Sequence, residues 1–166
     1  HLTGCVGFSI TGNFIYSCAN RNLLMEKCAQ MIVASNNFRR HTPKMNMGVR
    51  LVECEDSIVS GCHLFDEHET GQPTGASPLE LVRCQRVNVT GCQVLNGVPF
   101  GVDLATCSHV NLTGNTIMDK RDKPVMKRPI RWIGNGAINQ MGSNTIIDGA
   151  DGGPAIATEA RVTMTG

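Results

Sequence analysis

Arg50, Glu80, Asp103 and Arg131 are separated by 30, 23 and 28 residues, and each is the middle residue of a short apolar-x-apolar unit. Those units are Val49-Arg50-Leu51, Leu79-Glu80-Leu81, Val102-Asp103-Leu104 and Ile130-Arg131-Trp132. Two carboxylates brought close together raise one another's pKa, and one of them can then serve as a general acid or base. Flanking arginines can grip a carboxylate bidentately. Asp103 and Glu80 are therefore candidate catalytic residues, and Arg50 and Arg131 candidate substrate-binding residues. The alternative is a solvated ladder of ion pairs across neighbouring strands.

The elements that must position these residues come from a recurring pattern. Cys5, Cys28, Cys54, Cys84 and Cys107 are each followed eight residues later by Asn13, Asn36, Cys62, Cys92 or Asn115, behind a Gly or Ser. Three and five residues after each cysteine the side chains are mostly apolar, which is the period of a strand. A sixth copy has Gly136 in the cysteine slot and Ser143-Asn144 in the turn, and a seventh begins at Glu159, Val162 and Met164. The copies lie 23, 26, 30, 23, 29 and 23 residues apart. Each contributes three short strands: the anchor that carries the charged residue, the pair after the cysteine, and one around Ile15, Phe38, Leu64, Val94 or Ile117. The expected fold is all-β, a single-stranded parallel β-helix or solenoid of about six rungs, in which each rung buries its inward side chains against its neighbours.

The segment Gly101-Val102-Asp103-Leu104-Ala105-Thr106-Cys107, continued by Val110, Leu112, Gly114 and Asn115, resembles the repeat of the pectin-lyase-like right-handed β-helix superfamily. That repeat runs Gly-Val-x-Leu-x-x-Cys-x-x-Val-x-Ile-x-Gly-Asn. The resemblance covers the whole chain and implies a right-handed coil. It also implies an extracellular, periplasmic or cell-surface location. The superfamily includes polysaccharide lyases, glycoside hydrolases, uronate epimerases, phage tail proteins and non-catalytic surface repeats, so fold alone does not choose among them. The Asn-Thr-Asp, Asp-Asp, Gly-His-Gly and Arg-Ile-Lys signatures of its polygalacturonase-like members are absent from the sequence, as is an epimerase-like Asp-Pro-His-Asp.

Eight cysteines invite a disulfide or zinc reading. Stacked residues in parallel rungs are about 4.8 Å apart with parallel Cβ vectors, whereas a disulfide needs converging Cβ atoms about 3.8 Å apart. A ladder of free thiols packed as small hydrophobes is expected. No Cys-x-x-Cys pair is present and no metal site is expected. A serine at position 84 would then bury a hydroxyl with no ready partner. The turn asparagines Asn13, Asn36, Asn115 and Asn144 are expected to stack and bond backbone groups. No cofactor is called for: Asp148-Gly149-Ala150-Asp151 resembles a calcium loop only loosely and reads as a plain turn.

Insertions fall at one edge, between the third strand and the next anchor. The connections span residues 16–22, 39–48, 66–78, 95–101, 118–129 and 147–153. The short 95–101 connection between two long ones predicts a notch. One wall would carry Asp66, Glu67, His68 and Glu69, and the other Lys120, Arg121, Lys123, Lys127 and Arg128, diluted by Asp119 and Asp122. Arg39, Arg40, His41 and Lys44 lie one rung earlier. His68, Lys127 and Arg128 thus join Arg50 and Arg131 as candidate substrate-binding residues.

The 166 residues carry a formal charge of +1 and only 4% aromatics. The chain is expected to be one β-helix domain, residues 1–166, cut from a longer protein. The leading expectation is a carbohydrate-active domain that binds, and as lyase or hydrolase cleaves, an acidic, uronic-acid-containing polysaccharide. The alternatives are a non-catalytic surface repeat and a tail-fibre or adhesin-like structural segment. Nucleic acid is not an expected partner, because the basic residues sit in loops without interleaved aromatics. Membrane insertion is not expected either. Outward Ile32 and Ile58 leave a homo-oligomer open. The anchor register turns Trp132 inward, whereas counting back from Asn144 turns it outward and buries Arg131.

Overall fold

A computed structural model of the chain describes residues 1–68, 72–147, 156–158 and 162–165. Glu69, the turn at Asp148 and Asp151, and Glu159 lie outside the described residues. The strands form three parallel sheets, one from each third of every coil. The first sheet is made of the anchors, Leu2–Thr3, Leu23–Glu26, Val49–Val52, Leu79–Val82, Phe100–Ala105, Arg128–Ile133 and Ile156–Thr158, in chain order. The second contains Ser9–Thr11, Ile32–Ala34, Glu55–Ser60, Gln85–Thr90, Asn111–Thr113, Asn139–Gly142 and Val162–Thr165. The third contains Phe14–Tyr16, Asn37–Arg40, His63–Asp66, Gln93–Leu95, Thr116–Met118 and Thr145–Ile146.

Through the first five copies pairing follows the repeat in all three sheets, because a one-residue shift would turn every inward side chain to solvent. Into the sixth copy the anchors pair 28 residues apart (Leu104 with Trp132) and the second strands 29 (Leu112 with Met141), the extra residue falling between Trp132 and Gly136. Met25, Leu51, Leu81, Leu104 and Trp132 are in register along the first sheet and fully buried. Trp132 is thus inward, as the anchor register requires. Ile32 and Ile58 are paired and exposed on the second sheet.

The cysteines form the expected file, with Cys28, Cys54, Cys84 and Cys107 buried, Cys5 partly buried, and all eight free. Each thiol is nonetheless bonded. Cys84 Sγ donates toward Leu51 O at 3.4 Å and Val82 O at 3.5 Å, and Cys54 and Cys107 repeat this on their own rungs. A hydroxyl at position 84 therefore has acceptors at hand, contrary to the expectation from sequence. The Cys84 thiol is pushed up to about 12, chiefly by the neighbouring Cys107 thiol, with burial adding to the shift.

The asparagine file works through the same backbone groups. Asn36 Nδ2 donates to Ile10 O, Asn115 Nδ2 to Val89 O, and Asn144 Nδ2 to Leu112 O. Asn115 Oδ1 accepts from Cys92 N at 2.9 Å, and Asn36 Oδ1 accepts from Asn13 N at 2.9 Å. Where Cys62 and Cys92 interrupt the file, their sulfurs reach the equivalent carbonyls, those of Val33 and Val59. A thiol can stand in for the amide because it covers the same carbonyl. Gly136 occupies the cysteine slot of the sixth copy because a Cβ there would fall 1.6 Å from Cys107 O. Asn139 Nδ2 donates to Cys107 O at 3.0 Å, the carbonyl that on earlier rungs accepts from the amide following the cysteine, as Cys84 O does from Ser108 N.

Candidate functional site

The outward anchor residues form one file: Leu24, Arg50, Glu80, Asp103 and Arg131 are paired in sequence along the first sheet. Neighbours in such a file are about 4.8 Å apart at the backbone. The last four line a cavity of about 510 Å³ on the outer face of this sheet, within the usual size range of small-molecule sites. Its sides are Thr74, Gly75 and Ala76 from the 66–78 connection, Pro99 and Phe100 from the 95–101 connection, and Asn20 and Arg21.

Every charge in the cavity has a partner. Asp103 receives Arg131 bidentately, Nε to Oδ1 at 2.8 Å and Nη2 to Oδ2 at 2.5 Å, and this bond raises the Arg131 pKa. The Arg131 guanidinium also lies over the Phe100 ring, 4.4 Å from its centroid, a cation–π contact. Glu80 is buried rather than free on the floor. Its Oε1 accepts from Ser77 N and from Arg21 Nη2, both at 2.8 Å, and its Oε2 lies 3.6 Å from Arg50 Nε. Arg21, buried at 4% side-chain exposure, also donates to Met47 O and Ser77 O.

The notch over the 95–101 connection is filled. Arg121 Nη2 donates to His68 O and to Asn96 O, both at 2.7 Å, and so ties the two long connections together across the short one. Asp119 does not dilute a basic wall. Its carboxylate pairs with Arg121 and accepts from the Val125 and Met126 amides, folding its own loop around itself. Asp66 does not stand on an acidic wall either: it is fully buried in a bidentate pair with Arg40. Burial pushes the Asp66 carboxyl up, and Arg40 opposes the shift. Loop charges that look solvated in sequence are fixed here because the turns they occupy carry buried polar backbone that needs them.

The structure thus brings together Arg50, Glu80, Asp103 and Arg131, and leaves His68, Lys127 and Arg128 outside the cavity lining. His68 Nε2 contacts His41 O on the outer side of the loops. The Lys127 amide donates to Pro99 O while its side chain is exposed, and Arg128 is in register with Phe100 at the start of its strand. Sequence reasoning missed Arg21 and Phe100. Each stands two residues before an apolar-x-apolar unit, Leu23-Leu24-Met25 or Val102-Asp103-Leu104, and that spacing was the available signal. Among the described residues no cluster of three His, Cys, Asp or Glu side chains forms a metal-binding group.

No curated protein matches the chain. The model for the right handed beta helix region matches residues 1–166, and with three in-register parallel sheets already on view, the chain belongs to that family.

Proposed function

We propose that this β-helix domain binds an acidic oligosaccharide on the outer face of the first sheet, over Asp103 and Arg131. The observation that carries the reading is the file of Arg50, Glu80, Asp103 and Arg131 at the base of an open cavity, with Phe100 at its side. Arginine heads recognise carboxylates, carboxylates accept sugar hydroxyls, and an aromatic ring offers apolar surface to a pyranose.

Binding is better supported than cleavage. A general base needs an oxygen within hydrogen-bond reach of the proton it takes. Each Asp103 oxygen already accepts from Arg131, and Glu80 Oε1 accepts from Arg21 and Ser77. Both carboxylates are thus turned toward cations of the protein, with Glu80 Oε2 the one of these four oxygens that has no hydrogen bond among the described residues. For Asp103 to take a substrate proton, Arg131 would have to move aside. A non-catalytic surface repeat domain is the second reading, and the same occupied carboxylates favour it.

The test is titration calorimetry of the chain with acidic and neutral oligosaccharides, alongside assays for new reducing ends and for unsaturated product. Acidic ligands are expected to bind, with affinity falling on adding salt, and Arg131→Ala is expected to weaken them. Equal affinity in wild type and Arg131→Ala would reject the site. Turnover that survives in wild type and disappears in Asp103→Asn would establish cleavage.

A further inference from the structure

We infer, resting on the binding reading above, that the cavity selects a glycan in which a single acidic unit is followed by neutral ones. The acid group sits at Arg50 and the neutral units over Asp103 and Arg131. Among the described residues the lining holds three cations, Arg21, Arg50 and Arg131, and two carboxylates, Glu80 and Asp103, which leaves one unit of positive charge.

That charge is not spread evenly. Arg21 is buried against Glu80 and two backbone carbonyls, so it cancels Glu80 from below and is itself out of reach. Arg131 and Asp103 close on each other through two hydrogen bonds. Arg50 is different. Its side chain is 42% exposed, its Nε stands 3.6 Å from a carboxylate already shared with Arg21, and that Nε has no hydrogen bond. The unbalanced charge belongs to the Arg50 end.

At the other end an anion would have to take Arg131 from Asp103 and then lie beside the displaced carboxylate, where like charges repel. A hydroxyl meets no such obstacle. The Asp103 oxygens retain acceptor capacity beyond the two bonds to Arg131, and the guanidinium has donors beyond the two it uses. Arg50 and Arg131 are three strand spacings apart, about 14 Å at the backbone, so different units of one chain meet the two ends. An uninterrupted polyuronate would lay a carboxylate over Asp103 whichever unit occupied Arg50. A chain with one acidic unit at Arg50 and only neutral units beyond it avoids this, and the site discriminates by repulsion as much as by attraction.

Three oligosaccharides of equal length test the inference by calorimetry on the 166-residue chain: one with a single terminal uronic acid followed by neutral hexose units, one of uronic acid throughout, and one neutral. The singly acidic oligomer is expected to bind about tenfold more tightly than either of the others, the worth of one charge-assisted hydrogen bond. Arg50→Gln should remove its advantage over the neutral oligomer. Asp103→Asn should improve the all-uronate oligomer selectively. Thermal unfolding of both variants checks that they fold, and Arg50→Lys, which retains the charge, should keep the preference in part. An all-uronate oligomer that binds as tightly as the singly acidic one, or that ignores Asp103→Asn, would overturn the inference while leaving the binding reading in place. Failure of all three oligomers to bind would overturn both.

Discussion

Arg40 and Asp66 face each other through two parallel hydrogen bonds, Nε to Oδ1 at 2.8 Å and Nη2 to Oδ2 at 3.0 Å, with neither side chain exposed. Arg40 Nη1 donates to Pro43 O at 3.1 Å and Met45 O at 3.4 Å, and Asp66 Oδ1 also accepts from His68 N. One buried pair therefore holds the starts of two long connections. Removing one partner strands a charge in the interior, at a cost of about 3–5 kcal/mol. Arg40→Met and Asp66→Ala are each expected to lose that much in urea unfolding, and the double variant to recover a large part of it. Additive losses would contradict a coupled pair.

Cys84→Ser is expected to destabilise by no more than Cys84→Ala. The serine hydroxyl can donate to Leu51 O or Val82 O, the carbonyls the thiol already uses, and Ser57 makes an equivalent bond to Glu55 O at 2.7 Å. Alanine removes the bond and leaves a small cavity, each worth about 1 kcal/mol. Denaturant midpoints of the two variants decide the order. A chelator is expected to leave the wild-type midpoint unchanged.

Ile138 has a φ of 55° and its side chain is exposed. A β-branched residue is strained in that region, and glycine is not. Ile138→Gly is expected to stabilise by roughly 0.5–1 kcal/mol, since the relief of about 1–2 kcal/mol exceeds the added unfolded-state entropy. A lower melting temperature in the variant would refute this.

His63 has its pKa lowered from 6.5, first by burial and then by Arg39 and Lys120. The folded chain therefore binds the His63 proton less readily than the unfolded chain does. Stability from this residue is complete above about pH 6.5 and is lost as the pH falls through the depressed folded value. Melting temperatures measured from pH 8 down to pH 5 should decline at the acid end, and His63→Gln should flatten that part of the curve.

The coil, the inward files and the charged file were legible because each rests on a period, and a period survives in one dimension. Arg50, Glu80 and Asp103 each stand four residues before their cysteine, so their alignment followed from counting. Arg131 stands five before Gly136, and the apolar Ile130 and Trp132 on either side of it, not the count, put it in the same file. The connections have no period. Asp66 and Arg121 are unremarkable in sequence, and only the folded path brings Arg40 to the first and the His68 and Asn96 carbonyls to the second. The left-handed corners had a partial signal. Gly7, Gln30, Asp56, Arg86, His109 and Ile138 all follow the cysteine slot by two residues and all have positive φ, yet only the first is a glycine.

Arg21 has a consequence for how the coil comes apart. In a stack where each rung touches only its neighbours, opening can spread from an end one turn at a time. Arg21 reaches Met47 O and Ser77 O, 26 and 56 residues further along the chain, so it belongs to three successive turns at once. Losing the middle turn breaks bonds that the outer two also depend on. Residues 21–82 should then exchange their slow amide hydrogens as one block, with fraying confined to what lies beyond it.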